Sequence, residues 1–116
     1  MKKENFKSDK DVICFLSNKT GFEREVLVAT FKIPKGKVST YKRIAEKVCR
    51  PRAYRAVGNV LRNNPLAPIV PCHRVVRSNG GLGGYEKGIE YKRRLLEEEG
   101  ISIKNGRVKM SEENLF

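Results

Sequence analysis

Two short amphipathic segments lie next to each other near the middle of the chain, and only Cys49 and the break Arg50-Pro51-Arg52 separate them. The first covers residues 41–48, and Thr40 before it is a residue type that caps helix N-termini. The second covers residues 53–62 and ends at Asn63-Asn64-Pro65, because proline disfavours helical backbone in the residue before it. Two short helices joined by so tight a break predict a helix-turn-helix, which restricts the fold more than any other feature of this sequence.

Positive charge is concentrated around these two segments. Residues 35–77 contain eleven basic residues and one acidic residue, Glu46, and so carry +10 of the net charge of +12. Such a basic surface is typical of nucleic-acid binding, with the second helix of the pair lying in the DNA groove. A solvated lysine-rich surface normally has acidic residues interspersed. An anionic membrane surface is a weaker alternative, because no long basic amphipathic helix is evident.

The rest of the chain predicts a mainly helical fold with a small β element. Apolar spacing predicts a helix over residues 22–31, a turn at Pro34-Lys35-Gly36-Lys37, and a helix over residues 88–99 that Gly100 terminates. Asn105-Gly106 predicts a hairpin over residues 101–110. Residues 12–16 are expected to form an apolar packing segment, for which a helix is slightly favoured over a strand. Residues 78–84 are expected to form an irregular glycine-rich loop.

Three cysteines, Cys14, Cys49 and Cys72, have no paired spacing, so no disulfide framework is expected. One histidine among scattered thiols does not make a usual zinc site, and no metal is expected. The N-terminus lacks a signal peptide pattern and no segment has transmembrane length. We therefore expect an intracellular protein in a reducing compartment, cytoplasmic in a prokaryote or nuclear in a eukaryote, with no membrane partner.

The chain's only histidine directly follows a cysteine in Pro71-Cys72-His73-Arg74-Val75-Val76. A thiol must lose its proton to act as a nucleophile, and imidazole is the side chain best suited to remove that proton near neutral pH. The dipeptide alone favours a buried cysteine beside a surface histidine. Its neighbours favour the reactive interpretation.

These residues resemble the active-site motif of the O6-alkylguanine-DNA alkyltransferases (methylated-DNA–protein-cysteine methyltransferases). The resemblance extends from about residue 22 to residue 100. Further motifs stand in the family's order and close to its spacing: Arg55-Ala56-Val57-Gly58, Asn63-Asn64-Pro65, Gly83-Gly84-Tyr85 and Glu99-Gly100. Several motifs in one register make the resemblance specific, and it implies a winged helix-turn-helix-like DNA-binding domain, mainly α with a small β element.

The resemblance implies a set of catalytic residues. Cys72 is similar to the acceptor that takes the alkyl group from O6 of guanine, and His73 to the base that draws its proton through a water. Glu99 is similar to the carboxylate that orients the imidazole. Asn64 is similar to the asparagine that supports the turn between the recognition helix and the active site. Without the family's register, Glu99 would be an exposed charge at an acidic helix end.

The resemblance also implies DNA contacts. Tyr41 is similar to a tyrosine that helps rotate the target nucleotide, and Arg55 to an arginine finger that fills the gap left in the duplex. Taken alone, Tyr41 would be a half-buried packing residue and Arg55 a phosphate contact. Further expected contacts to DNA are Thr40, Arg62 and Arg74, and the expected lining of the base pocket is Val75, Gly83, Tyr85 and Glu86.

The function implied is direct reversal of O6-alkylguanine damage in double-stranded DNA by irreversible self-alkylation of Cys72 after base flipping. We expect a monomer without a cofactor, because the acceptor is part of the protein. Residues 22–116 would form the DNA-binding and active-site domain, preceded by a short segment, 1–21, where the family's N-terminal domain is missing or reduced. Two alternatives are a lesion-binding sensor without transfer activity and a helix-turn-helix regulator without chemistry.

Overall fold

The structure is a computed structural model that describes residues 21–64, 69–83 and 88–116. Three helices pack together in its first part. They are α1 (Gly21–Phe31), α2 (Tyr41–Lys47) and α3 (Tyr54–Arg62). The three predicted helices are confirmed to within one residue at each end. The turn before α2 is also confirmed, since Lys37 N–H donates to Pro34 O at 3.1 Å and Gly36 has a φ of +86°. The packing segment predicted at residues 12–16 lies outside the described residues.

Local hydrogen bonds fix both ends of α2. Thr40 has extended backbone (φ −123°, ψ 158°), and its side-chain oxygen accepts the Arg43 N–H at 3.0 Å, which confirms the predicted N-cap. At the other end Cys49 has a φ of +62°, and Arg50 N–H donates to Ala45 O at 2.9 Å. This is the bonding of a helix C-terminus that turns away sharply. The break between α2 and α3 therefore begins at Cys49, directly after the C-cap of α2.

A short parallel pair of strands joins the two halves of the chain. β1 (Ser39–Thr40) lies directly before α2 and pairs with β2 (Val75–Val76), with Ser39 opposite Val75 and Thr40 opposite Val76. A single 3₁₀ turn, Cys72–Arg74, leads into β2. The sequence did not predict this pairing, which places the residues after Cys72 beside the start of α2.

The apolar core divides into two clusters on either side of this strand pair. Successive side chains of a strand point in opposite directions, and Val75 accordingly belongs to the first cluster and Val76 to the second. The first cluster is formed mainly by α1, α2 and α3 and includes Cys72. The buried members of the second cluster are Val38, Val76, Leu82, Leu96, Ile101 and Val108.

A fourth helix and a hairpin complete the fold. Helix α4 is Ile89–Glu98, and the hairpin consists of β3 (Ile103–Lys104) and β4 (Arg107–Val108). Asn105 and Gly106, with φ of 55° and 75°, form the predicted two-residue turn. The predicted fold class, mainly helical with a small β element, is confirmed. No helix within residues 21–64, 69–83 and 88–116 has the length and apolar character needed to cross a membrane.

The last residues of the chain lie along the strand that precedes α2. Val38 N–H donates to Asn114 O, and Phe116 N–H donates to Val38 O, each at 2.7 Å. The Phe116 ring packs against the first core cluster, and the Lys47 Nζ lies 3.9 Å from its centre. The C-terminal segment therefore fixes the position of Val38, which lies directly before β1 and α2.

The N-cap at Thr40 predicts a measurable contribution to stability. Replacing Thr40 with Ala removes the acceptor for the Arg43 N–H, and we expect the free energy of unfolding to fall by about 1 kcal/mol. Thr40→Ser, which keeps the hydroxyl, is the matched control. Denaturant unfolding of the wild type, Thr40→Ala and Thr40→Ser measures the change in the free energy of unfolding. A Thr40→Ala protein as stable as Thr40→Ser would show that the cap is not stabilising.

Candidate functional site

A cationic groove of about 920 Å³ lies between α2, α3 and the segment that follows β2. Four of the predicted site residues line it: Tyr41, Arg55, Arg62 and Gly83. Lys42 and Arg77 add two further positive charges, and none of the described side chains that line the groove is acidic. The groove therefore combines two tyrosines, Tyr41 and Tyr54, with four cations, a composition suited to the bases and phosphates of a nucleic acid.

Cys72 is the first residue of the 3₁₀ turn and is 6% exposed. Its N–H donates to Val70 O at 2.8 Å, and the Asn64 Nδ2 donates to the same carbonyl at 2.8 Å. Asn64 follows the end of α3, so its side chain ties the second helix of the helix-turn-helix to the residues that precede Cys72. The supporting role of Asn64 stays a prediction, and this hydrogen bond is the contact through which Asn64 would exert it.

His73 and Glu99 are in direct contact although 26 residues separate them in the chain. The His73 Nε2 lies 2.8 Å from the Glu99 Oε2, which assigns the ring proton to Nε2. The Nδ1 atom is buried and has no hydrogen-bond partner among the described residues, so it is the free acceptor of the ring. Burial lowers the pKa of His73, although Glu99 opposes this effect, and the ring is therefore neutral at neutral pH.

Arg74 has an internal role in place of the DNA contact that we predicted. Its Nε and Nη2 donate to both oxygens of Glu99, at 2.8 and 2.9 Å, and its Nη1 donates to Ile33 O at 2.7 Å. Burial of Glu99 disfavours its charge, but the hydrogen bonds from Arg74 and His73 outweigh that effect and lower the pKa of Glu99. Glu99 is thus a carboxylate shared between His73 and Arg74.

The end of α4 fixes the position of Glu99. Gly100 has a φ of +87°, and the Ile101 N–H reaches back to Leu96 O at 3.0 Å. Gly100 N–H donates to Glu97 O, also at 3.0 Å. The buried side chains of Leu96 and Ile101 complete this capping motif. The predicted helix stop at Gly100 is confirmed, and it holds Glu99 at the last position before the turn.

Lys92 is a site residue that the sequence did not predict. It is 0% exposed, and its Nζ donates to Val75 O at 2.7 Å and lies 3.4 Å from the Tyr41 hydroxyl. Burial lowers the pKa of Lys92 to about 8, although the nearby Cys72 thiol opposes the shift when it is ionised. The one signal in the sequence is its spacing of four residues from the buried Leu96, which places both on the same helix face.

Tyr41 extends from the first turn of α2 into the groove, where Gly83 faces it. A Cβ atom on Gly83 would lie 2.7 Å from the Tyr41 hydroxyl oxygen, so no larger residue fits there without displacing the ring. Burial raises the pKa of Tyr41, and the neighbouring Cys72 adds to the increase. The phenol is therefore protonated near neutral pH and available as a hydrogen-bond donor.

The structure gives Thr40 and Val75 roles that differ from the predicted ones. Thr40, expected to contact DNA, is 5% exposed and uses its side-chain oxygen to cap α2. Val75, expected to line the base pocket, has its side chain in the first core cluster, and its carbonyl oxygen accepts from Lys92. Tyr85 and Glu86 lie outside the described residues, so their predicted places in the base pocket stay predictions.

A helix-turn-helix beside a cationic groove defines a DNA-binding domain, and in this one a buried cysteine is followed by a histidine that contacts a carboxylate. Residues 21–101 match the family model described as the DNA-binding domain of 6-O-methylguanine DNA methyltransferase, and the chain belongs to that family.

The chain is similar to curated methylated-DNA–protein-cysteine methyltransferases. It is 49% identical to that of Methanosarcina barkeri over 77 residues, which are 66% of this chain and 49% of the relative. It is 49% identical to that of Saccharolobus solfataricus over 82 residues, which are 71% of this chain and 52% of the relative. The chain therefore spans about half the length of these relatives.

Solved structures of similar proteins include two complexes with DNA. Mycobacterium tuberculosis OGT in complex with DNA is 48% identical, with a TM-score of 0.68 over 69% of this chain and 50% of that one. S. pombe Atl1, in complex with damaged DNA containing O6-carboxymethylguanine, is 35% identical, with a TM-score of 0.72 over 82% of this chain and 94% of that one.

The buried ammonium of Lys92 predicts a dependence of stability on pH. Its pKa is lowered from 10.5 to about 8 in the folded chain, so between these values the unfolded chain binds a proton that the folded chain does not. The free energy of unfolding should therefore rise with pH across this window, by up to about 3 kcal/mol.

Urea unfolding at pH values from 7 to 10 measures this rise, and Lys92→Met, in which the titrating group is absent, is the comparison. We expect the pH dependence of the wild type to be steeper than that of the variant. Parallel curves for the two proteins would contradict a lowered pKa for Lys92.

Proposed function

We propose that this chain repairs O6-alkylguanine in double-stranded DNA by transferring the alkyl group irreversibly to Cys72, as a single-turnover methylated-DNA–protein-cysteine methyltransferase. The observation that carries the proposal is the contact of His73 with Glu99 immediately beside Cys72. Because Nε2 is bound to the carboxylate, the free Nδ1 is the atom that takes the thiol proton. This is the nucleophile, base and orienting carboxylate arrangement of other thiol enzymes.

The transfer step is a displacement at saturated carbon. The Cys72 thiol gives its proton to His73, the thiolate attacks the alkyl carbon, and a sulfur–carbon bond forms as the carbon–O6 bond breaks. The electron pair stays on the guanine, which then takes up one proton. Thiol and O6-alkylguanine thus become thioether and guanine, and the acceptor is consumed.

Tyr41 and Lys92 support the leaving base in this proposal. The phenol has a raised pKa, so it stays protonated and is able to donate to the guanine as negative charge develops there. The Lys92 Nζ, bound to Val75 O and close to the phenol oxygen, holds the ring in place. Lys92 is therefore a positioning residue for Tyr41.

Access to the target requires that the nucleotide leave the base stack, because the alkylated oxygen lies inside the duplex. Arg55 is in the first turn of α3 and lines the groove, where an extended side chain is able to fill the space that the base leaves. Arg62, at the end of the same helix, also lines the groove. Both are DNA-contacting residues in this proposal.

Lesion binding without transfer is a second candidate function. It is favoured by the similarity to S. pombe Atl1, which was solved in complex with damaged DNA containing O6-carboxymethylguanine and has a TM-score of 0.72 to this chain. The two candidates differ in the fate of Cys72: only the first leaves an alkyl group on its sulfur.

Mass spectrometry distinguishes the two functions. After incubation with a duplex oligonucleotide that contains O6-methylguanine, we expect one methyl group per protein molecule, located on Cys72 by peptide mapping. Transfer should stop at one equivalent even with substrate in excess. Cys72→Ser should bind the same duplex without gaining mass, because a serine hydroxyl is a far weaker nucleophile at neutral pH.

An unmodified Cys72 in a protein that binds the lesion would support the second candidate. Repeated turnover would contradict a mechanism that consumes its acceptor. Loss of DNA binding in Cys72→Ser would assign Cys72 a structural role.

His73 and Glu99 should act as one unit in the transfer rate. Replacing Glu99 with Gln removes a charge that raises the pKa of His73, so we expect slower transfer and an acid limb of the rate profile at lower pH than in the wild type. Combining Glu99→Gln with His73→Ala should cost less than the sum of the single effects. Single-turnover rates between pH 5 and 8 measure both effects, and Glu97→Gln on the exposed face of α4 is the control.

An unchanged rate and pH profile in Glu99→Gln would contradict the relay. Additive effects in the double variant would show that the two side chains act independently. Unfolding curves of each variant separate these effects from a loss of stability.

A further inference from the structure

Arg77 lines the groove but belongs neither to the helix-turn-helix nor to the His73–Glu99 contact. It directly follows β2, five residues after Cys72, and its side chain is exposed. It contrasts with Arg74, three residues earlier, whose guanidinium bonds to Glu99. Arg77 therefore does not share the role of Arg74, which binds Glu99.

The backbone at Arg77 is held in a tight turn. Arg77 N–H donates to Gly81 O, and Gly80 N–H donates to Arg77 O, each at 2.8 Å. Gly80 has a φ of +87°, and a Cβ atom there would lie 2.5 Å from Val108 O, so the turn is closely packed against β4. The Cα atom of Arg77 is thus fixed relative to β2 and to the Cys72 turn.

Two arginines on different elements act on the same phenol. Arg77, after β2, and Arg62, at the end of α3, both lower the pKa of Tyr41, against the larger effects of burial and Cys72. Arg77 also lowers the pKa of the buried Lys92, after the larger effect of burial. The positive charge of Arg77 therefore acts close to the reacting atoms. None of the described side chains that line the groove is acidic, so none of them neutralises that charge.

We infer that Arg77, together with Arg62, binds a backbone phosphate of the target nucleotide after that nucleotide has left the base stack. This inference rests on the proposed function. A nucleotide that rotates towards Cys72 takes its flanking phosphates along, because the sugar joins base and backbone covalently. A guanidinium binds such a phosphate with two parallel hydrogen bonds.

The position of Arg77 in the fold makes its contact with a phosphate selective for the flipped nucleotide. Arg77 lies on the chain segment that carries Cys72, and Arg62 is at the end of α3 on the other side of the groove, the helix that contacts the duplex in the proposed function. A phosphate held between them stabilises the flipped nucleotide more than the stacked one. Binding energy of this kind increases the rate of transfer, since it is absent before flipping.

Transfer rates on three substrates test this inference. The substrates are an O6-methylguanine duplex, the same single strand and the free O6-methylguanine base, and only the first two contain phosphates. We expect Arg77→Gln to slow transfer severalfold on both oligonucleotides and to change the free-base rate much less, because the free base is affected only by the charge of Arg77 near Tyr41 and Lys92. Arg55→Ala should slow transfer on the duplex only, because no stacked gap exists elsewhere. Arg24→Gln, an equal charge change on α1, is the control and should change no rate.

Equal losses on all three substrates would overturn the inference, since Arg77 would then act only through its charge on Tyr41 and Lys92 and not by binding phosphate. No loss on any substrate would also overturn it. A loss on the duplex alone would give Arg77 the role that we assign to Arg55.

Binding measurements test the inference independently of transfer. In a Cys72→Ser background, Arg77→Gln should reduce the slope of log affinity against log salt by about one unit on lesion duplex and leave it unchanged on undamaged duplex. Equal reductions on both duplexes would assign Arg77 to general attraction and overturn the inference. Failure of the proposed function would instead appear as an unmodified Cys72 in the wild type.

Discussion

The carboxylate of Glu99 is the contact on which the arrangement of the site depends. It accepts from the His73 Nε2 at 2.8 Å and from two nitrogens of Arg74, whose third bond reaches Ile33 O beyond the end of α1. One side chain thus joins the Cys72 turn, the end of α4 and the helical core. Removing one partner of such a partly buried group leaves a charge uncompensated, so the contacts of Glu99 support the fold as well as the position of His73.

Local signals explain why much of the helical structure was predictable. The N-cap at Thr40 and the stop at Gly100 act through hydrogen bonds within a few residues, and the structure confirms both. The same holds for the hairpin turn at Asn105-Gly106, where both residues have positive φ. Cys72 beside His73 suggested a nucleophile and a base from residue chemistry alone. The partnership with Glu99 came only from the family's register, because 26 residues separate the two.

Tertiary contacts explain what the sequence did not predict. Lys92 begins the basic run Lys92-Arg93-Arg94, and Arg74 follows His73 within the basic middle of the chain, so both are also consistent with a solvated or DNA-binding surface. Their inward placement depends on a carbonyl or carboxylate from a distant element: Ile33 and Glu99 for Arg74, and Val75 for Lys92. Pairing of β1 with β2 is equally non-local, since each strand has only two residues.

The protonation of the His73 ring is the most direct test of the site as a thiol-activating relay. His73 is the only histidine of the chain, so ¹⁵N-labelled histidine gives ring signals that need no assignment. We expect NMR at neutral pH to show a neutral ring with its proton on Nε2 and a bare Nδ1, titrating below the ordinary value of 6.5. A proton on Nδ1, or an imidazolium at neutral pH, would contradict His73 as the base for Cys72.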